Sequence, residues 1–374
     1  MQTNDSFFKF SLYRVVLFSG SALILVAVAI LGPIIRIHYF PEGGAFRHLN
    51  GTLSVHHIDV SHGDAIAIRF PCNRVALIDS GDARHFQRVN RYLRRRVVGR
   101  NLRIDYLILT HPHMDHMGGM VQIMQNFDVG TFWRPIIRSR SSHDQDNTYL
   151  MDYTGGDQPT PEYARVIAAA HHYADEIRIM RAGEHFGTPY WQMFFHTPTL
   201  EGLPAALNNF ATVNEISSIK TLRFGRQIFV FTGDAGFMAE GDFLMSQTAR
   251  DMFYELDRDN YTVHLSVGHH GSNGSSSNRF LELIEPTTAV ISIGNHQHLP
   301  HPTAVGRIRR HVPQANLFIT RDLGNIAMRT CGETWVVFTG FRNPLNLWWL
   351  FGILVVALAF VCFFHWERKL ATTT

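Results

Sequence analysis

The stretch LILTHPHMDHMGGM, residues 107–120, places three histidines and an aspartate within six positions, directly after a short apolar run. A strand repeats every two residues, so His111 and His113 at its end point to the same side, as two ligands of one ion require. Asp115 and His116 follow in a turn at a helix entrance, where they can face a second ion a few ångströms away. Pro112 fixes the backbone between the first pair, and Gly118 and Gly119 permit close approach behind it. Imidazole with carboxylate suits Zn, Mn or Fe. The bland alternative is a polar turn whose histidines cap a helix. For one H-x-H that would be the better reading, but four ligand-type residues at this spacing after an apolar strand point to metal.

The rest of the composition narrows the chemistry. Cys72, Cys331 and Cys362 form no C-x-x-C pair, so neither a thiolate zinc ribbon nor a disulfide framework is indicated, and a metal here must be held by His and carboxylate. A formal net charge of +3, with arginines spread along 374 residues, is too small to predict nucleic acid as partner by itself.

The elements that must position these residues are short β-rich runs alternating with helices, from residue 51 to 340. TLSVHHIDV, DAIAIRF and RVALIDS read as three closely spaced strands, and DYLILT as the strand that runs into the histidine motif. Residues 84–98 place Phe86, Val89, Leu93 and Val97 at helical spacing with arginines opposite. Residues 133–161 are long and polar, hence a surface loop or lip, and PEYARVIAAAHHYADE is a helix opened by Pro161. PYWQMFFHTP, ISSIKTLRFG, QIFVFTGD, TVHLSVG and TAVISIG are further strands, with helices at 239–254 and 302–311. The arginines Arg91, Arg94, Arg95, Arg96, Arg100 and Arg103 suit either a nucleic-acid backbone or a solvated helix face, the second being the commoner case. Arg134, Arg138 and Arg140 are candidates to line an active-site lip.

Both ends differ from the middle. Residues 15–35 carry no charge over 21 positions, enough helix to cross a bilayer core of about 30 Å, and residues 345–366 repeat the pattern with Trp348, Trp349 and Trp366 at interfacial positions. Lys9, Arg14, Arg368 and Lys369 place the tails 1–14 and 367–374 in the cytoplasm by the positive-inside tendency. Residues 36–50 then read as a linker, and the domain 51–340 is expected on the periplasmic or extracellular side of the cytoplasmic membrane. A cleaved signal peptide ending near Ala27 and Ala29 is the alternative for the first run, which continues past that point.

H-x-H-x-D-H resembles the signature of the metallo-β-lactamase fold hydrolases, and the surrounding sequence is closer to one branch, the metallo-β-lactamase-like domain of the competence protein ComEC. The likeness runs from about Leu53 to Thr339. HHIDVSHGDAIAIRFPCNRVALIDSGD resembles the opening strands, VFTGD the strand ending in a bridging Asp, VGHHGSNGSSS the His-His-Gly-Ser loop, and ISIGNHQHLPHPTAV the late Gly-Asn and His-Pro segment. The resemblance implies an α/β fold, a metallo-β-lactamase-like αββα sandwich, here flanked by one N-terminal and one C-terminal transmembrane helix. It also implies a two-metal centre. His111 and His113 would hold the first ion, Asp115 and His116 the second, with Asp234 between them. From the pair His269 and His270, the second is favoured as ligand and the first as substrate contact. Asp79 would lie beneath the site and orient ligands. Two departures stand out: His62 in VSHG replaces an expected Gln, and the third ligand of the first ion is either His196, at a strand end, or Asn214.

Two cations bridged by a carboxylate lower the pKa of a bound water, so hydroxide is the expected nucleophile, with Asp115, His269 and His301 as the catalytic candidates. His301 in HPTA would bind the phosphate or protonate the leaving oxygen, and a plain surface His beside Pro302 is the equal alternative. The expectation is a membrane-anchored, metal-dependent hydrolase of phosphodiesters, with two divalent ions (Zn or Mn), no nucleotide cofactor and DNA as a candidate substrate. Because only two apolar runs are present, a tethered nuclease is expected and not a DNA importer. A phosphocholine or lipid-headgroup esterase of the envelope shares the chemistry, and a non-catalytic metal-binding assembly protein is the reading from another class.

Overall fold

The computed structural model describes residues 36–38, 51–99, 102–145, 147, 149–152, 160–199, 213–254, 256–257 and 259–340. Its strands are β1 (Arg36–His38), β2 (Leu53–His57), β3 (Ile66–Arg69), β4 (Val75–Ile78), β5 (Arg103–Ile108), β6 (Asp128–Arg134), β7 (Ala174–Ile179), β8 (His185–Gly187) and β9 (Trp191–Phe195). The later ones are β10 (Lys220–Phe224), β11 (Gln227–Phe231), β12 (Thr262–Ser266), β13 (Thr288–Ile291), β14 (Leu317–Ile319), β15 (Ile326–Thr330) and β16 (Trp335–Thr339). Among the described residues they form two sheets, ordered β1-β16-β15-β2-β3-β4-β5-β6-β7 and β14-β13-β12-β11-β10-β9-β8.

Alternation explains the layering. Val55, Ile68, Ile78 and Ile108 of the first sheet face Phe195, Leu222, Phe224 and Phe229 of the second, which makes the inner core. The opposite face of the first sheet is covered by helices Phe86–Tyr92, Met120–Asn126 and Pro161–Tyr173 through Val89, Ile123 and Val166. Helices Phe237–Met245, Asn278–Ile284 and Pro302–His311 cover the second sheet through Phe243, Phe280 and Ile308. The result is the αββα order.

Register decides which loops meet. Thr339, Ile326, His57, Ile66, Ile78, Ile108 and Trp133 form one continuous row across the first sheet. Asp79 follows Ile78 and Thr110–His111 follow Ile108, so both loops leave the same end of the sheet. β1 is antiparallel to β16, with Arg36 opposite Val337 and His38 opposite Trp335. Thr339 therefore also lies at that end, and Arg36 lies two residue rows from it.

Several sequence expectations are corrected. The linker expected over 36–50 begins with a strand, because Arg36–His38 pairs with an open edge. The helix opened by Pro161 ends at Tyr173, and Ala174–Ile179 continues as a strand paired in parallel with β6, which ends by joining the polar stretch at Trp133 and Arg134. The helix expected at 239–254 is two, Phe237–Met245 and Gln247–Phe253, separated by Ser246 in extended conformation. Arg134 does not line a lip. It is buried, donating from Nη1 and Nη2 to Asp144 at 2.6 and 2.7 Å, while Arg138 Nε donates to Asp152 Oδ1 at 2.9 Å, so both hold the long loop together. Cys72 and Cys331 are free and exposed. Among the described residues no helix is long and apolar enough to cross a membrane, and the runs 15–35 and 345–366 and both tails lie outside the described residues.

Gly63 has φ +118°, and a Cβ there would lie 2.1 Å from the carbonyl oxygen of Asp115. Asp64 N donates to that same oxygen at 3.2 Å, so this contact seats the helix entrance against the loop after β2. Gly63→Ala is expected to cost roughly 1–3 kcal/mol and to lower the thermal midpoint by several degrees, with loss of bound metal as Asp115 is displaced. Calorimetry and metal analysis of the variant check this, and an unchanged midpoint would contradict it.

Candidate metal centre

The centre is built from loops at the ends of β2, β4, β5, β11 and β12. Asp79 takes φ +56°, a left-handed conformation that costs a non-glycine residue roughly 1–2 kcal/mol. Its carboxylate offsets this by accepting three hydrogen bonds, from Thr110 N (2.8 Å), Thr110 Oγ1 (2.7 Å) and His116 Nδ1 (2.7 Å). Thr110 Oγ1 in turn lies 3.1 Å from His111 Nδ1. His270 Nδ1 donates to the carbonyl of Ser292 at 2.8 Å. With their Nδ1 atoms engaged, His111, His116 and His270 all direct Nε2 into the same space, which is how metal-bound imidazoles are commonly held.

Distances within that space divide it in two. His111 Nε2 lies 3.1 Å from His113 Nδ1 and 3.7 Å from Asp234 Oδ2. On the other side, Asp234 Oδ1 lies 3.1 Å from His116 Nε2 and 3.4 Å from His270 Nε2, and Asp115 Oδ2 lies 3.2 Å from His270 Nε2 and 3.7 Å from His116 Nε2. Each oxygen of Asp234 thus faces a different group, His111 with His113 or Asp115 with His116 and His270.

His116 Nε2 and Asp234 Oδ1 are buried with no well-directed hydrogen bond. Leaving such atoms unmet costs about 1–3 kcal/mol each, so the cluster fits divalent ions better than it fits itself. The charge balance points the same way. Burial lowers the pKa of His116, but Asp234, Asp115 and Asp79 outweigh it and hold the imidazole well above its ordinary value. Burial also opposes protonation of His270, yet Asp234 and Asp115 raise its pKa to about 9. Asp234 and Asp115 are held well below the usual carboxylate range, because His116 and His270 outweigh their burial. Protons on two imidazoles stand where cations would.

Residues 58–190 match the sequence model of the Metallo-beta-lactamase superfamily. The chain is also 27% identical over 210 residues to ComE operon protein 3 of Bacillus subtilis (strain 168), covering 56% of this chain and 22% of that relative, so it spans only a minor part of that protein. Among solved structures it is similar to the metallo-beta-lactamase fold protein YhfI from Bacillus subtilis, with TM-score 0.43 and 10% identity, over 75% of this chain and 100% of that one. A diphosphatase from the PhnP family gives TM-score 0.40 and 13% identity, over 75% of this chain and 98% of that one.

His111, His113, Asp115, His116, Asp234 and His270 converge, and Asp79 lies beneath them. His269 stands at the open side, its Nε2 3.8 Å from Asp234 Oδ2 and 3.3 Å from Asn214 Nδ2. His269 and His270 have φ of 47° and 52°, consecutive left-handed residues held by His269 N donating to Gly233 O at 3.0 Å. His301 caps its helix, with Nδ1 accepting from Thr303 N at 3.2 Å and its own backbone N–H donating to Gly271 O at 2.8 Å, next to the His269–His270 turn.

His196 is not a ligand. Its Nδ1 lies 2.8 Å from Thr248 Oγ1 and its Nε2 2.8 Å from Thr221 Oγ1, so both ring nitrogens are engaged between the second sheet and the helices that cover it. Burial alone pushes its pKa to about 3, which keeps it neutral. Asn214, the alternative, lies at the centre beside His269, with its Oδ1 buried and unpartnered.

Three further residues join the site. His62 Nε2 lies 3.3 Å from Asp115 Oδ2, and its ring packs against His270 at 4.5 Å and stacks on His296 at 5.1 Å. The departure from the family turn had marked this residue without placing it. Asp64 and Lys220 are buried beneath Asp79. Burial lowers the Lys220 pKa to about 8 against the opposing pull of Asp79 and Asp64, and Nζ donates to Ser218 O at 2.7 Å. A lysine inside a strand gives no sequence signal of this role.

Two outcomes follow. His196→Ala removes a ring packed on Phe243 and its two hydrogen bonds to threonine hydroxyls, so it is expected to cost about 2–4 kcal/mol of stability while metal content stays at the wild-type level. Loss of metal in a folded His196→Ala protein would restore it as a ligand. Because His116 and His270 are protonated in the ion-free protein at neutral pH, metal loading must expel those protons. Affinity should therefore rise as pH rises toward 9, and titration in buffers of different ionisation enthalpy should detect proton release at pH 7. Affinity independent of pH would refute this.

Proposed function

We propose that the chain is a membrane-tethered hydrolase of phosphodiesters holding two divalent ions, Zn or Mn, and acting foremost as a nuclease on the outer side of the cytoplasmic membrane. The observation that carries this reading is the division of ligands about Asp234, whose Oδ1 faces His116 at 3.1 Å and whose Oδ2 faces His111 at 3.7 Å. His111 and His113 would hold one ion, and Asp115, His116 and His270 the other. Bound there, the ions supply an activated water and neutralise charge developing on phosphoryl oxygens. The ComEC-like motifs and the His-His-Gly-Ser loop favour phosphorus over carbon as the centre attacked.

The chain's own residues do the rest. Asp79 fixes the orientation of His116 through Nδ1 and, through Thr110, that of His111. His269, a third exposed, lies beside Asp234 and is placed to meet a substrate oxygen, with Asn214 steadying its ring. Since His301 Nδ1 is engaged by Thr303 N, only its Nε2 is left to meet a leaving oxygen. The tether rests on residues 15–35 and 345–366, whose apolar character is a sequence property.

A lipid-headgroup esterase is the second reading, favoured by the position of Thr339, which leads toward the second apolar run, at the same sheet end as the metal loops. Rates of the purified full chain in detergent, loaded with Mn or Zn, on DNA, RNA, a chromogenic phosphodiester and phosphocholine esters separate the two. Asp115→Asn and Asp234→Asn are expected to lower cleavage at least about a hundredfold, and rates equal to wild type would mark the activity as a contaminant. Two ions per chain support the enzyme; none, or a single tight one, would favour a non-catalytic binder.

A further inference from the structure

The outer face of the first sheet carries a second concave feature, a groove of about 720 Å³ between β2, β3, β15 and the helical segment around Tyr92 and Arg96. Arg329 of β15 and Arg69 of β3 both stand opposite Ser54 of β2. Cross-strand partners share a face, so these two guanidinium stems rise on the same side, two inter-strand steps or about 10 Å apart. Arg96 adds a third from the helix side. No aspartate or glutamate lines the groove, and none of the three arginines forms an ion pair among the described residues. Arg69 donates to Asn73 Oδ1 and Arg329 to Thr52 Oγ1, both neutral.

The neutral groups in the groove leave this charge unopposed. His56 lies at its floor, and burial together with the nearby Arg69 and Arg96 lowers its pKa to about 4. Tyr92, whose hydroxyl is 3.0 Å from His56 Nδ1, is pushed up to about 12 mainly by burial. Phe338 is 44% exposed, lines the same groove, and is in register with Ala327 and, through it, His56. An exposed aromatic ring among unpaired arginines suits a chain of phosphates with unstacked bases. The groove also runs toward the reactive end. From Ser54 to His57 is about 10 Å along β2, and beyond it Asn325 Oδ1, at the groove rim, accepts from Asp59 N in the loop that leads to His62.

We propose that this groove is a track for single-stranded nucleic acid, in which Arg69, Arg96 and Arg329 hold backbone phosphates and Phe338 stacks a base. The inference rests on the nuclease reading of the metal centre, and deepens it by making the substrate a polymer gripped away from the cleaved bond. An anionic membrane surface is the competing occupant. It is disfavoured because the arginines line a recess of about 720 Å³ between strands and a helical segment, which a strand of phosphates can enter and a flat bilayer surface cannot.

The test uses the full chain in detergent, stripped of metal so that nothing is cut, with a fluorescently labelled oligothymidylate and anisotropy as the readout. Arg69→Ala with Arg329→Ala is expected to weaken binding by about tenfold or more at moderate salt, and to reduce the slope of log affinity against log salt by about 1.4, two phosphates at about 0.7 each. Phe338→Ala should weaken binding about fivefold or more with the salt slope unchanged. Arg69→Lys with Arg329→Lys keeps the charge and should retain most of the binding, which separates loss of contact from loss of fold. Oligonucleotide affinity unchanged in the alanine variants overturns the proposal, as does absence of wild-type binding. Loss of binding to vesicles containing phosphatidylglycerol, with oligonucleotide binding intact, overturns it in favour of the membrane. Hydrolysis of a small chromogenic diester by the metal-loaded variants tests the centre separately. Diester cleavage without groove-dependent binding sinks the groove alone, and groove-dependent binding without any cleavage by wild type sinks the nuclease reading alone.

Discussion

The buried carboxylate of Asp79 is the constraint on which the centre depends. It sits in a left-handed backbone conformation directly after β4 and accepts from Thr110 and His116, tying two parallel strands and the following helix entrance to one point. An anion so far from water is tolerable only if it is paired and fully hydrogen-bonded. Lys220, on the other sheet, supplies a positive charge below it, and His116 supplies another when protonated. The orientation of every inward-facing Nε2 on the β5 side follows from this one group, directly for His116 and through Thr110 for His111.

The second sheet completes what the first begins. Asp234 follows β11 and His270 follows β12, parallel neighbours whose ends are level because Phe231 pairs with Ser266. Packing of Phe195, Leu222, Phe224 and Phe229 against the first sheet sets the separation of the two ends, and hence the 3.1 Å between His116 and Asp234. Core packing at near-crystalline density leaves little freedom in that distance. Two imidazoles and two carboxylates held this close without ions must share protons, so occupancy of the centre and its protonation are one equilibrium. That coupling is a consequence of the fold, since each residue alone would titrate near its ordinary value.

The same sheet serves two purposes on its two flanks. Toward β5 and β6 its outer face is sealed by helices, whereas over β2 and β15 it is left open and lined by arginines without carboxylate partners. Register is what gathers them. Arg69 and Arg329 are 260 positions apart in sequence and share one partner, Ser54.

The sequence by itself determined the identity of the local ligands. His111, His113, Asp115 and His116 lie within one turn, so period and spacing are enough to bring them together. It determined the layered α/β class as well, because alternating apolar runs with short breaks have few other ways to bury both faces of two sheets. Only the tertiary structure decided the long-range choices. His196 and His270 are both histidines after strands, and what separates them is whether the ring meets two threonines or two carboxylates, a fact of packing between residues far apart in the chain. Arg134 and Arg138 looked like lip residues until Asp144 and Asp152 folded back on them, and His62 had no assigned place until the loop after β2 met Asp115. Non-local contacts carry no periodic signature, so residues whose role is set across sheets become legible only when the sheets are packed.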